Sequence, residues 1–205
     1  MARKQAINYK MKQRLQIHID GAKRAGKTTV AKGIIEALRL KGLKPALVDM
    51  DEIRMKIFGE NTGKPDSAES LGYRHWVARA MCKVMAPAVL DSGGIPVVVM
   101  DHDFVETYEY IKELSRRFGF SLKFIVLESP DLEEAKRRSE FMLPDDYSDM
   151  KNWSDPAIRA SFLRSAGRID DYYKNIAESC LIRIPQSSVE NMIREAVRFV
   201  FDESE

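Results

Sequence analysis

The chain has 205 residues and a net charge of +2, from 33 Lys and Arg and 31 Asp and Glu. Its length fits one globular domain, and its 44% hydrophobic and 31% charged residues exclude a disordered or fibrous chain. The nearly balanced charge gives no reason to expect a nucleic-acid partner.

No apolar run approaches the ~20 residues that a membrane-spanning helix needs, and the N-terminus lacks the apolar stretch of a signal peptide. We therefore expect a cytoplasmic protein with no membrane partner. Its two cysteines, Cys82 and Cys180, have no His or Cys neighbours at metal-ligand spacing. This pattern predicts two buried thiols rather than a disulfide or a zinc site.

Strands and helices alternate along the chain. Short apolar runs predict five strands, at 15–20, 45–49, 95–100, 122–127 and 181–184. Apolar residues at helical spacing predict helices at about 28–41, 70–91, 104–118, from 130 onward, and 189–201. Alternation of this kind indicates a three-layer α/β domain, in which a parallel sheet has helices on both faces.

One long segment interrupts the alternation. Residues 143–156 are polar, acidic and without a clear period. A loop of this length inside a compact domain is often a lid or a binding loop. We predict a lid over about 141–156, within one domain that spans 1–205; a plain solvated connection is the alternative.

A phosphate-binding motif joins the first strand to the first helix. Residues 21–28, GAKRAGKT, match G-x-x-x-x-G-K-[ST] at every fixed position. Lys27 would contact the β and γ phosphates of a nucleotide, and the Thr28 hydroxyl would bind Mg²⁺. The expected nucleotide-binding residues are Gly21, Ala22, Lys23, Arg24, Ala25, Gly26, Lys27, Thr28 and Thr29. For Lys23 and Arg24, exposure to solvent is the alternative.

A phosphate loop alone does not distinguish kinases from switches, motors or transporters. A GTPase would need an Asn-Lys-x-Asp segment to read guanine, and the chain has none. We therefore do not expect a GTPase.

Acidic residues follow the second and third strands. Asp49 and Asp51 end the second strand, with Arg54 soon after, and Asp101 ends the third. The carboxyl ends of parallel strands meet at one edge, so these residues should lie near Lys27. One carboxylate could hold Mg²⁺ through water, another could deprotonate an acceptor hydroxyl, and the arginine could bind an anionic acceptor. The alternatives are a helix N-cap by Asp51 with an ion pair to Arg54, and turn capping by Asp101.

The phosphate loop and the segment Asp49-Met-Asp51-Glu-Ile-Arg54 resemble the small-molecule P-loop kinases, above all adenylylsulfate kinase and its ATP-binding relatives. The resemblance spans about residues 15–200 and is close over the first 54. It implies a five-stranded sheet in the order 2-3-1-4-5, with ATP and Mg²⁺ as cofactors. It also implies that Asp49 and Asp51 flank the metal and the acceptor hydroxyl, and that Arg54 and Arg74 bind the acceptor's anionic group. For Arg74, a solvated helix position is the alternative.

A helix with a basic end leads into the predicted lid. Lys136, Arg137 and Arg138 stand at this end. In nucleoside-monophosphate-kinase-like folds this helix delivers an arginine onto the transferring phosphoryl group, and by position Arg137 or Arg138 would do so here. Favourable charge at a helix C-terminus explains the same residues without catalysis.

Together these features predict a Mg-ATP-dependent kinase that phosphorylates a hydroxyl of a small anionic metabolite. The expected catalytic residues are Lys27, Asp49, Asp51, Arg137 and Arg138. The expected metal ligands are Thr28, Asp49 and Asp101, and the expected acceptor-binding residues are Asp51, Arg54, Arg74 and Asp101. A nucleotide, polynucleotide or zeta-toxin-like sugar-nucleotide kinase, or a nucleotide-binding module without turnover, is the alternative. The expected partners are ATP and the small acceptor, and a homodimer stays open.

Overall fold

Five parallel strands form the centre of the molecule in a computed structural model, which describes residues 14–58, 68–100, 106–140 and 153–201. The strands are β1 (Leu15–Gly21), β2 (Pro45–Asp49), β3 (Ile95–Val99), β4 (Ser121–Leu127) and β5 (Leu181–Ile184). Their order across the sheet is β2-β3-β1-β4-β5, and every neighbouring pair is parallel. The predicted α/β class and strand order are confirmed.

Seven helices lie within the described ranges. They are α1 (Lys27–Leu40), α2 (Met50–Phe58), α3 (Ala68–Asp91), α4 (Glu106–Phe118), α5 (Leu132–Glu140), α6 (Pro156–Tyr173) and α7 (Val189–Phe201). Helix α6 is not among the predicted elements. It begins where the Asp155 carboxylate accepts a hydrogen bond from the backbone nitrogen of Ala157 at 2.8 Å, with Pro156 in the first turn. This is a common way for a helix to start.

Helices cover both faces of the sheet. Helices α1 and α7 pack on one face, against residues such as Ile17 and Ile19. Helices α3, α4 and α6 cover the other face, where α4 and α6 pack on Phe124. Strand β1 is therefore buried along its whole length. Its alternating polar residues lie inside the molecule, and His18 stacks on Phe124 with ring centroids 5.8 Å apart.

Several predicted features lie at the limits of the described structure. Asp101 and residues 141–152 of the predicted lid are outside the described residues. At the end of that segment Trp153 is buried, and its ring meets Phe162 at a centroid distance of 5.5 Å. The chain's other tryptophan, Trp76 on α3, is 66% exposed.

The two cysteines differ in burial, and both are reduced thiols. Cys82 on α3 is buried, as predicted. Cys180 is half-buried, so the prediction is wrong there, because this residue lies just before the edge strand β5. No helix in the described parts of the chain is both long and apolar enough to cross a membrane.

Candidate active site

The loop between β1 and α1 carries the side chain of Lys27 against its own backbone. The Lys27 Nζ donates hydrogen bonds to the carbonyl oxygens of Gly21 at 2.9 Å and Ala22 at 3.0 Å. Gly21 and Gly26 have φ values of +146° and +96°, which favour glycine. A Cβ atom on Gly21 would lie 2.6 Å from the carbonyl oxygen of Leu127 on β4. The start of the loop is therefore fixed by its glycine and by the neighbouring strand.

The other predicted loop residues differ in their exposure. Lys23 and Thr29 are exposed, whereas Arg24 is half-buried. The Arg24 Nε donates to the Ser139 Oγ on α5 at 3.0 Å. The buried members of the loop are Ala22 and Ala25. The solvent-facing alternative therefore fits Lys23 but not Arg24.

Helix α5 brings a second cation to the loop. The Arg138 Nη1 donates to the carbonyl oxygen of Arg24 at 2.8 Å, and its Nε donates to Glu134 at 2.7 Å. Glu134 also pairs with Arg137, whose side chain is 59% exposed. Hydrogen bonds from Arg137 and then Arg138 lower the pKa of Glu134 to about 2. Of the two predicted arginines, Arg138 lies at the phosphate loop and Arg137 lies on the exposed side of α5.

Asp49 connects the phosphate loop to helix α2. Its Oδ2 accepts a hydrogen bond from the Thr28 hydroxyl at 2.9 Å. Its Oδ1 accepts from the backbone nitrogens of Asp51 at 2.9 Å and Glu52 at 3.3 Å. The residue that caps α2 is therefore Asp49 and not Asp51. The cap holds the buried Asp49 carboxylate beside the first turn of α1.

The Thr28 hydroxyl and the Asp49 carboxylate fit a Mg²⁺ site. Both are hard oxygen donors, and proteins commonly hold Mg²⁺ with one or two such groups together with phosphates and waters. Within the described ranges, no group of three or more His, Cys, Asp and Glu side chains could hold a metal ion. Phosphate oxygens of a nucleotide and waters would supply further ligands to a metal at this position.

Arg54 is on α2, and its side chain, which is only 15% exposed, reaches α3. Its Nη2 pairs with Asp51 at 2.9 Å, and its Nη1 lies 3.0 Å from the His75 Nε2. A guanidinium can only donate, so the His75 Nε2 accepts and carries no proton. The ion pair between Asp51 and Arg54 that the sequence suggests is present. His75 is a further partner, which no sequence motif singles out.

Arg74 is on helix α3, next to His75 in the sequence, and contacts the end of helix α2. Its guanidinium carbon is 5.6 Å from the centroid of the Phe58 ring. The same ring meets Tyr73 in an edge-to-face contact with centroids 6.2 Å apart. Arg74 is therefore packed on an aromatic ring, where a cation–π contact stabilises it.

Cys82 on α3 is buried, and the charges of Asp49 and Asp51 act on its thiol. Burial, followed by the charges of Asp49 and Asp51, raises the pKa of its thiol to about 12. The thiol therefore stays protonated at neutral pH, and it packs in the apolar cluster that contains Val48 and Met50.

Solved kinases share this architecture. The APS kinase of Mycobacterium tuberculosis, solved with AMPPNP and APS, has a TM-score of 0.58, with 92% of this chain and 98% of that chain covered at 18% identity. The fold is that of the P-loop kinases. The shikimate kinase of Acinetobacter baumannii, solved with shikimate, has a TM-score of 0.56, with coverage of 92% and 93% at 17% identity. No protein-family model and no curated protein matches the sequence.

In this P-loop kinase fold, a buried pair of side chains lies behind the phosphate loop. Asp20 is 0% exposed, and it accepts hydrogen bonds from the Gly21 backbone nitrogen at 2.7 Å and the Tyr173 hydroxyl at 2.8 Å. In the sequence Asp20 has the character of a strand-end residue, and no motif marks Tyr173. The two lie 153 residues apart, so no local sequence signal could have paired them.

Proposed function

We propose that the protein is a Mg-ATP-dependent phosphotransferase that moves the γ-phosphate to a hydroxyl of a small anionic metabolite. The observation that carries this proposal is the contact between the Thr28 hydroxyl and the Asp49 carboxylate. It gives a Mg²⁺ ion two oxygen ligands directly beside Lys27, the residue expected to bind the nucleotide's phosphates. The kinase fold supports the same reading.

On the nucleotide side, the chain supplies charge at defined positions. Lys27 moves from its loop carbonyls to the β and γ phosphates, and Arg138, held at the Arg24 carbonyl, adds positive charge close by. Thr28 and Asp49 hold the metal. When bound, Mg²⁺ neutralises part of the charge on the phosphates.

On the acceptor side, Arg54 binds the anionic group and Asp51 orients the hydroxyl. The hydroxyl oxygen forms a bond to the γ-phosphorus while the bond from that phosphorus to the bridging oxygen of ADP breaks. The hydroxyl proton passes to the Asp51 carboxylate, which is 54% exposed and therefore accessible to an acceptor. Asp51 and His75 together hold the Arg54 guanidinium before the acceptor binds.

Two features favour a small anionic acceptor. Two arginines make contacts across the pair of helices α2 and α3, Arg54 with His75 and Arg74 with Phe58, and arginine binds carboxylate, sulfate and phosphate groups well. The structural relatives solved with APS and with shikimate are also consistent with a small substrate.

The experiment is a screen of metabolite pools for ADP release, followed by mass spectrometry of the product. We expect one anionic pool to yield a new compound carrying one added phosphate, in an amount equal to the ADP released. The Lys27→Ala variant is the control for contaminating kinases. ADP release without a new product would mean an ATPase, and tight binding without turnover would mean a nucleotide-binding module. No rise in melting temperature at millimolar Mg-ATP would contradict the ATP site itself.

A further inference from the structure

A continuous chain of hydrogen bonds runs from helix α6 to Lys27. The Tyr173 hydroxyl donates to the Asp20 Oδ2 at 2.8 Å. The Asp20 Oδ1 accepts from the Gly21 backbone nitrogen at 2.7 Å. The Gly21 carbonyl oxygen in turn accepts from the Lys27 Nζ at 2.9 Å. Four residues thus connect a helix on one face of the sheet to the predicted phosphate-binding lysine.

The carboxylate in this chain of hydrogen bonds depends on its partners because it is buried. Asp20 and Tyr173 are both fully buried, where a carboxylate is costly unless hydrogen bonds satisfy its oxygens. Burial, followed by the charge of Asp20, raises the pKa of the Tyr173 phenol above its ordinary value. The phenol therefore remains a donor at any pH at which the enzyme works, and its proton points at Asp20.

The contacts of Gly21 link the position of the Asp20 carboxylate to that of the Lys27 side chain. Its φ of +146° and the 2.6 Å approach of Leu127 to a Cβ at this position leave the residue little freedom. Its nitrogen is held by Asp20, and its carbonyl holds Lys27. A change in the position of the Asp20 carboxylate would therefore move the carbonyl against which the lysine rests.

We infer that Tyr173 is a positioning residue for Lys27, acting through Asp20 and Gly21. Tyr173 itself touches neither nucleotide nor acceptor in this arrangement. Its hydroxyl fixes the Asp20 carboxylate, which fixes the start of the phosphate loop and so the resting place of the lysine ammonium. The inference rests on the proposed nucleotide site, and it adds a residue from the opposite end of the chain to that site.

The test compares Tyr173→Phe with Tyr172→Phe. The first change removes the hydroxyl but keeps the ring that packs against Phe124 with centroids 5.7 Å apart. The second removes a neighbouring hydroxyl whose ring meets that of Tyr173 at 4.8 Å, and it serves as the matched control. Affinities for Mg-ATP and for AMP are measured by competition with a fluorescent ATP analogue.

We expect Tyr173→Phe to weaken ATP binding about tenfold and to change AMP binding less than about twofold, because Lys27 acts at the β and γ phosphates that AMP lacks. Tyr172→Phe should leave both affinities unchanged. In a Lys27→Ala background, Tyr173→Phe should have no further effect on ATP, because the residue through which it acts is gone.

A merely structural role would give a different result. It would lower the melting temperature and weaken ATP and AMP equally, and it would do so in the Lys27→Ala background as well; that result would overturn the inference. If Tyr173→Phe does not fold, Asp20→Asn replaces one of the two accepting oxygens with an amide nitrogen that only donates, which weakens the same chain and should show a loss confined to ATP. Wild-type affinity for ATP in Tyr173→Phe would overturn the inference alone. A wild-type protein that does not bind ATP would overturn the nucleotide site and the inference with it.

Discussion

The two sides of the candidate site are built in different ways. On the nucleotide side, backbone groups and buried side chains set the geometry, as where Asp49 caps α2 and holds Thr28. On the acceptor side, Asp51, Arg54 and His75 hold one another by contacts between side chains alone. Contacts anchored in the backbone keep their geometry without a ligand, whereas long side chains can rearrange when a ligand arrives. We therefore expect a preformed nucleotide site and an acceptor site that adjusts.

The largest expected effect comes from a substitution on the nucleotide side. Lys27→Ala should lower turnover by about 10³-fold or more, because it removes a charge aimed at the transferring phosphate. The melting temperature should hardly change. Lys23→Ala is the matched control, since this lysine of the same loop is exposed, and it should retain turnover within about twofold. Steady-state kinetics measure both, and equal losses in the two variants would contradict the assignment of Lys27.

A second test separates the two arginines of α5. Arg138→Ala should lower turnover by about 10²-fold, because the guanidinium at the phosphate loop is lost, whereas Arg137→Ala should change it less than about threefold. ATP affinity is measured alongside by titration calorimetry. If Arg137→Ala were the more damaging change, the side of α5 that faces the transferring phosphate would have been misassigned.

A third test addresses the acceptor side alone. Arg54→Lys keeps the charge but loses the planar fork, so it should raise the KM for the acceptor about tenfold and leave ATP affinity unchanged. The measurement uses the acceptor identified in the screen. A rise in the KM for ATP of the same size would show that Arg54 belongs to the nucleotide side, and the comparison between the two sides would then fail.

The smallest expected effect concerns the buried thiol of Cys82. At pH 8, iodoacetamide should modify Cys82 more slowly than Cys180, because burial, Asp49 and Asp51 raise the pKa of Cys82 to about 12. Asp51→Asn removes one of these charges, which lowers the pKa and should speed the modification of Cys82 about twofold. Cys180 in the same molecule is the internal control, measured by mass spectrometry. An unchanged rate at Cys82 would place Asp51 too far away to influence the thiol.

Much of the fold can be predicted from the sequence because buried parallel strands are short apolar runs. The phosphate loop can be predicted as well, since its function depends on glycine backbone geometry and one lysine at fixed spacing. Helix α6 escapes prediction although Phe162, Ala166, Ile169 and Tyr173 recur at helical spacing. Asp155 and Pro156 are a typical helix start, but they follow a long polar stretch. In the sequence they therefore look like the end of a loop.

The remaining site details depend on how elements are oriented in space. Arg137 and Arg138 are equivalent in sequence, but neighbouring residues on a helix point about 100° apart, and only packing decides which one meets the loop. Asp20 looks like the polar half of an alternating strand. Its partner Tyr173 lies 153 residues away, so their contact exists only once α6 has packed on the sheet.

The two tryptophans lie in different surroundings, and their intrinsic fluorescence can be used to follow each region. Trp153 is enclosed beside Phe162 at the start of α6, whereas Trp76 faces solvent one residue after His75. An enclosed indole emits at shorter wavelength than a hydrated one, so we expect the two residues to emit at different wavelengths. Trp76→Phe leaves a single emitter on the α6 side, and Trp153→Phe leaves one on the acceptor side. Each variant thus isolates one emitter, whose wavelength reports whether its own surroundings change when a ligand is added.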